Sequence, residues 1–373
     1  MHRTTAGKLV AVLIGCAFAT ALTGCAFKTD GTTAATTSAA TTDQAEEAIS
    51  PETEPASVDA TTATTDATTD QATTAATTSD AGTYTVTGDS SLVPADLTRI
   101  LASSTSTEVS VAYIELDRDT VSSTAAASAG TSAATTSDTT QTSARYSVNG
   151  DKRLVSASMI KLVILETVFQ QADAGTISLD DEITIHAADI VGGSGIIQNM
   201  GGDVTLTVEE LCNFMISSSD NDAANALIDL VGMDSVNSEA SRLGLASTSL
   251  QRKMMDTAAV EQGRQNYTSA NDIATLLESI AKGTFVNEAY SKKAEQYLLL
   301  QQDTTGLRAG IPNNVTVASK TGDLDRVYNA GGIVYTSKPY IVVAMVNDMA
   351  VDQARSLVSN IATATYASHE AHS

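Results

Sequence analysis

Apolar residues fall along this 373-residue chain in blocks of different period. Leu9 to Ala21 is almost unbroken apolar sequence, after which large apolar side chains nearly vanish until about Leu92. Alternation at Val109 to Leu116, and more briefly at Ala144 to Val148, predicts two strands. From Met159 to about Ile280 the spacing is helical. The helix beginning near Ser158 is apolar on nearly all sides and therefore predicted to be buried, and further helical runs cover Leu211 to Ile216 and Ala224 to Val231. Strand patterns return at Thr316 to Thr321, Gly331 to Tyr335 and Tyr340 to Val346, and a closing helix starts at Val351. Strands at both chain ends around a helical centre predict an α+β fold: an antiparallel sheet built from both ends, flanked by helices, with an inserted all-helical lobe.

The blocks also divide the chain. His2, Arg3 and Lys8 precede the apolar stretch and Leu22-Thr23-Gly24-Cys25 follows it, so residues 1–25 resemble a bacterial lipoprotein signal. The resemblance implies a lipid on Cys25 and an extracytoplasmic protein anchored to the cell membrane; an ordinary secretory signal is the alternative. Residues 26–92 are Thr, Ala, Ser, Asp and Glu, a composition that buries too little apolar surface to offset chain entropy, and are predicted to be a disordered tether. About 67 such residues reach on the order of 45 Å. Residues 93–373 form the predicted domain, interrupted at 121–142 by a second Thr/Ala/Ser-rich patch read as a disordered hairpin insertion.

Charge and residue counts narrow the chemistry. With 21 Lys+Arg against 44 Asp+Glu the net charge is −23, which argues against a nucleic-acid partner, since phosphate needs a basic face. Three cysteines, Cys16, Cys25 and Cys212, supply neither a disulfide framework nor a CxxC zinc site. Of four histidines, His2, His369 and His372 lie near the ends and His186 sits in a strongly polar stretch, so neither a multi-histidine metal site nor a Ser-His-Asp triad is favoured. No metal or cofactor is expected, and the chain is taken as a monomer.

Three polar clusters interrupt the helical centre and the late strands. Ser158 and Lys161 stand three apart at a helix start, on one face, where a lysine in apolar surroundings loses its proton readily and can serve the serine hydroxyl as base. The pattern is weak alone: Ser279-Ile280-Ala281-Lys282 repeats it at a helix end, where a lysine simply complements the dipole. Ser217 to Asn225, containing Ser219-Asp220-Asn221, lies between two apolar runs and reads equally as a helix stop and N-cap. Lys320-Thr321-Gly322 closes a strand and reads equally as a turn.

Taken together, in this order, the three clusters resemble the Ser-x-x-Lys, Ser-Asp-Asn and Lys-Thr-Gly set of class A β-lactamases and penicillin-binding serine hydrolases. The resemblance spans about Val109 to Ala367 and implies the β-lactamase/transpeptidase-like fold. It implies Ser158 as nucleophile, Lys161 as its base and Ser219 as proton donor to the leaving nitrogen. Asn221 would bond the substrate's side-chain amide, Lys320, Thr321 and Gly322 would form the carboxylate-holding strand end, and the N–H groups of Ser158 and Asp323 the oxyanion hole.

Two departures stand out. Class A enzymes carry a loop glutamate that activates the deacylating water, and counting from Arg252 in Leu250 to Asp256 puts Met254 in its place. A thioether takes no proton from water, so deacylation would be slow unless Asp256 or Glu261 substitutes. Asp323 is the second, an acid that weakens binding if it points toward the substrate carboxylate and is silent if it points outward, with Arg326 a candidate to offset it whose direction the sequence does not fix. Gly192-Gly193-Ser194-Gly195 reads as a flexible loop bordering the cleft, or merely a turn. The leading expectation is a serine hydrolase acylated by β-lactams at Ser158 that hydrolyses them. The alternatives are a D-alanyl peptidase or other peptidoglycan-directed hydrolase, and a non-catalytic β-lactam sensor.

Overall fold

The computed structural model describes residues 75–79, 82–117, 121 and 143–373. The signal with Cys25, most of the tether and all of the 121–142 insertion except Val121 lie outside these residues. In chain order the strands are β1 (Ala75–Ser79), β2 (Gly82–Gly88), β3 (Val109–Glu115), β4 (Arg145–Val148), β5 (Leu154–Val155), β6 (Glu182–Ile185), β7 (Val204–Thr207), β8 (Tyr267–Thr268), β9 (Thr316–Leu324), β10 (Val327–Tyr335) and β11 (Tyr340–Asn347). The helices are α1 (Ala95–Ala102), α2 (Lys161–Asp173), α3 (Val208–Ser217), α4 (Asn221–Val231), α5 (Met233–Arg242), α6 (Thr257–Glu261), α7 (Ala270–Ala281), α8 (Glu288–Leu299) and α9 (Val351–His372).

Seven strands pair antiparallel in the order β1-β2-β4-β3-β11-β10-β9, and β5 with β8 and β6 with β7 make two small ladders. Alternation along the central strands sorts side chains to two cores. Val111, Tyr113, Val342, Ala344 and Val346 pack with Leu97 and Leu101 of α1 and Leu357, Val358 and Ile361 of α9. The intervening Ala112, Ile114, Ile341, Val343 and Met345 pack with α7 and α2. A strand covered on both faces needs apolar residues at every position, and β11 reads as such a run.

The sheet begins earlier than the sequence suggested. Residues up to Leu92 were assigned to the tether, yet β2 pairs with β4, Val86 opposite Val148, and buries Tyr84 and Val86. Those two residues alternate correctly for a strand and the Tyr84 hydroxyl donates to the Leu101 carbonyl at 2.7 Å, but threonines on either side mask the pattern.

The helical lobe is organised around α2, whose residues from Lys161 to Phe169 are all buried. The predicted helix start at Ser158 is also corrected: a 3-10 turn spans Ala157–Ile160 and the α-helix begins at Lys161. The chain enters that turn through Ala157 at φ 45°, a left-handed conformation costly for a residue with a Cβ. Likewise α4 starts at Asn221, three residues before the predicted Ala224, because Asp220 caps it.

Candidate active site

The turn carrying Ser158 hangs from the sheet. Two buried asparagines hold the strand before it: Asn329 Nδ2 donates to the carbonyls of Val155 (2.9 Å) and Ser156 (3.1 Å), and Asn347 Oδ1 accepts from Val155 N at 2.8 Å. Asn329 Oδ1 in turn accepts from Asn347 Nδ2 and Val346 N, each at 3.2 Å. The sequence reading passed over both residues, although asparagine inside an apolar strand is itself a signal, being disfavoured there without a partner. From the other side β9 comes close enough that a Cβ on Gly322 would lie 2.5 Å from Ser158 N. Only glycine allows this approach, which brings the Lys-Thr-Gly strand against the serine turn.

Lys161 and Lys320 are both fully buried and converge on Ser219. Lys161 Nζ donates to Ser219 O (2.7 Å), Asn221 Oδ1 (2.8 Å) and, more weakly, Ser219 Oγ (3.4 Å). Lys320 Nζ donates to Ser219 Oγ at 3.0 Å and Thr321 O at 2.6 Å. Burial, and then the charge of Lys320, press Lys161 well below the ordinary lysine value. Burial takes Lys320 down to about 7, against the opposing pull of Asp323 and Asp303. Ser219 is held at φ 54°, a second left-handed non-glycine residue in the site. Ser158 is partly exposed beside this cluster, and among the described residues no hydrogen bond joins its Oγ to Lys161.

Asp220 supplies the expected N-cap, and with Asp222 it also ties down the neighbouring loop, which the sequence does not show. Asp220 caps α4 through Ala223 N at 3.0 Å, and its other oxygen accepts from Ile196 N (2.7 Å) and Ile197 N (2.9 Å). Asp222 accepts from Val191 N at 2.6 Å. Asn221 adds Nδ2 to Gly192 O at 2.9 Å and its own N–H to Ser194 O at 3.0 Å. The glycine-rich loop 192–195 borders the cleft through Gly193 and Ser194, one of its two expected roles, and hydrogen bonds to Asp220, Asn221 and Asp222 tie it and its flanks to the start of α4. At Gly195 (φ 112°) a Cβ would lie 2.2 Å from Asp220 Oδ2, so the tie itself requires the glycine.

A cleft of 440 Å³ opens from Ser158 between Gly193 and Ser194, Asn221, the loop from Arg252 to Thr257, and Asp323 to Asp325. Asn225 brackets Met254 on both sides, accepting from its N–H at 2.8 Å and donating to its carbonyl at 3.2 Å. Asn266 braces the same loop through Arg252 N (3.0 Å) and Arg252 O (3.0 Å). Met254 is buried, and Met255 (φ 61°) reaches the Gly193 position. Of the two acids weighed as substitutes for the loop glutamate, Asp256 lines the cleft while Oδ1 caps α6 at Ala259 N, 2.9 Å away. Glu261 is exposed at the end of α6 and is not part of the cleft wall. Thr321 is buried in the strand beside Lys320, and Asp323 is exposed on the cleft wall. Arg326, the candidate to offset Asp323, is committed instead to Asp348 at 2.8 Å.

Comparison with known proteins supplies the family. The β-lactamase CARB-4 of Pseudomonas aeruginosa is 27% identical over 185 residues, 49% of this chain and 64% of that one. The D-alanyl-D-alanine carboxypeptidase DacF of Bacillus subtilis is 31% identical over 162 residues, 40% of each. The chain thus spans less than two thirds of the length of these curated relatives. The β-lactamase structure from Sphaerobacter thermophilus superposes with a TM-score of 0.60 at 27% identity, covering 74% of this chain and 96% of that one. Residues 115–368 match the β-lactamase enzyme family as a whole, and with the β-lactamase/transpeptidase-like fold around its three converging polar clusters the chain belongs to that family.

Proposed function

We propose that the protein is a serine hydrolase whose Ser158 attacks β-lactams, forms an acyl-enzyme and releases it slowly. The observation that carries this reading is the burial of Lys161 against Ser219 and Asn221 one turn from Ser158. Lys161, pushed by burial toward its uncharged form, is the proposed base that takes the Ser158 proton as Oγ bonds to the lactam carbonyl carbon and the carbon–nitrogen bond opens. Ser219, bridged to both lysines, is placed to pass a proton to the departing nitrogen. The N–H groups of Ser158 and Asp323 are the proposed donors to the oxyanion, each worth about 3 kcal/mol in the transition state. Lys320, with Thr321, is the proposed holder of the substrate carboxylate.

Release is the weak step. On the count from Arg252, Met254 stands for the water-activating acid, with its backbone held by Asn225, and Asp256 on the cleft wall is the proposed substitute base. The same defect favours a second reading, in which a D-alanyl peptide is the natural acyl donor and β-lactams inhibit; the likeness to DacF supports it. A sensor without turnover is not favoured by these enzyme relatives. Intact-mass measurement of the protein in excess benzylpenicillin, with free drug followed in parallel, tests both. An adduct that decays within minutes while many equivalents of drug vanish supports the lactamase. One that persists for hours supports the peptidase, and no adduct rejects both. On the sequence of residues 22–25 we also propose lipidation at Cys25 and an extracytoplasmic, membrane-anchored location; loss of membrane fractionation in Cys25→Ala is the check.

A further inference from the structure

The 440 Å³ cleft is lined by Ser158 and runs between the Arg252–Thr257 loop and Asp323 to Asp325, while Lys320, Thr321 and Ser219 are not part of its wall. On the reading above, an acyl donor rests its carboxylate at Lys320 and Thr321, and its acyl side chain enters this volume. The charge along the walls is one-sided. Asp323 and Asp325 line one wall from the end of β9 and the turn after it, and Asp256 lines the other. Arg326, the basic residue next in sequence, is drawn off to Asp348 by both its side-chain and backbone oxygens. Arg252 is the only Lys or Arg among the lining residues, and it is held by Gln265 Oε1 (2.8 Å) and the Lys253 carbonyl (3.0 Å), with Asp256 as its nearby charge. Asp323 and Asp325 take part in no salt bridge among the described residues. Asp323 and Asp325 are both exposed on the cleft wall.

We infer that Asp323 and Asp325 are specificity-determining residues that favour acyl donors bearing an ammonium group on the acyl side and disfavour donors bearing a second carboxylate there. The inference rests on acylation of Ser158 and adds the charge of the substrate's acyl half, which the fold and the three polar clusters leave open. A zwitterionic donor would present its carboxylate to Lys320 and its ammonium to the aspartates, so that each charge meets its opposite across Ser158. An anionic side chain would meet two uncompensated carboxylates.

Three penicillins that differ at one side-chain carbon isolate this effect: benzylpenicillin, neutral there; ampicillin, with an amine; and carbenicillin, with a carboxylate. Adduct formation on the full chain is timed by intact mass at low ionic strength, at pH about 6, where an α-amine is protonated. Ampicillin is expected to acylate at least about 10-fold faster than carbenicillin, with benzylpenicillin between. The spread should narrow in about 1 M salt, where the Debye length is only about 3 Å. In the Asp323→Asn, Asp325→Asn double variant the three rates should fall within about 2-fold of one another. Carbenicillin as fast as ampicillin, or an order that survives in the double variant, overturns the inference and leaves the acyl-enzyme reading standing. Failure of all three drugs to form an adduct overturns the acyl-enzyme reading and the inference with it.

Discussion

The chain carries Ser-x-x-Lys twice, and the two copies differ in everything but spelling. Lys161 is fully buried at the start of α2 and reaches across to Ser219 and Asn221. Lys282 stands exposed at the C-cap of α7 and pairs with Glu278 at 2.6 Å, while Ser279 Oγ donates to the Leu276 carbonyl of its own helix. Same spacing, opposite environments: one lysine is stripped of water against Ser219 and Asn221, the other completes a helix end. Reactivity therefore belongs to the packing around the pair and not to the pattern itself.

The sharpest way to break this comparison is to remove the two serines in turn. Ser158→Ala should abolish the penicillin adduct in intact-mass spectra, and Ser279→Ala should leave it unchanged; a surviving adduct in Ser158→Ala sinks the nucleophile assignment. Exchange of the lysines comes next. Lys161→Met should slow acylation by about 10² to 10⁴, the usual worth of a positioned base, whereas Lys282→Met should leave the rate within about 2-fold. A rate loss of the same size in both would mean that burial is not what separates them. Met254→Glu should raise deacylation by a factor in the same 10² to 10⁴ range, read as adduct lifetime, because it restores a carboxylate where Asn225 already grips the backbone.

Smaller effects fall on stability and pH. A buried lysine that must shed its charge destabilises the fold, so Lys320→Met should unfold at higher denaturant concentration than the parent at neutral pH and below. The sign follows from proton counts: Lys320 loses its proton near 7 when folded but near the ordinary 10.5 when unfolded. Between those values the unfolded chain binds more protons, so parent stability should climb from pH about 7 to about 10.5, by an amount on the order of 5 kcal/mol at most, and Lys320→Met should lack that climb. Below pH 7 the cost is present in full. Lys282→Met, by contrast, should lower stability by no more than about 0.5 kcal/mol at any of these pH values, since it gives up one exposed i, i+4 pair. Urea titrations of the two variants across this range make the check.

Much of this site was legible in the order of three short polar clusters, because a buried polar residue among apolar ones is conspicuous in sequence. The central strands were legible for a related reason, since alternation and length mark a half-buried or fully buried strand. Less could be read where the signal was diluted or non-local. Tyr84 and Val86 are too few among threonines to announce β2, which becomes a strand only by pairing with β4. Nothing local to Arg326 says that it turns to Asp348 and not to Asp323. The loop 192–195 looks free because its glycines are read alone, while the oxygens that hold it come from Asp220 and Asp222, some twenty-five residues further on. The 3-10 start at Ala157 depends on Asn329 and Asn347, which lie more than 170 residues away from the turn they support.

Those two asparagines have a mechanical consequence. They fasten the nucleophile to the sheet, whereas Ser219 and Asn221, which grip Lys161, belong to the junction of α3 and α4 in the helical lobe. Turn and junction nevertheless share one core, since Met159 and Ile160 pack in the same apolar cluster as Leu211, Ala223 and Ala224. Serine and proton shuttle are thus set by a single packed body, and warming should end acylation only where that body itself begins to melt.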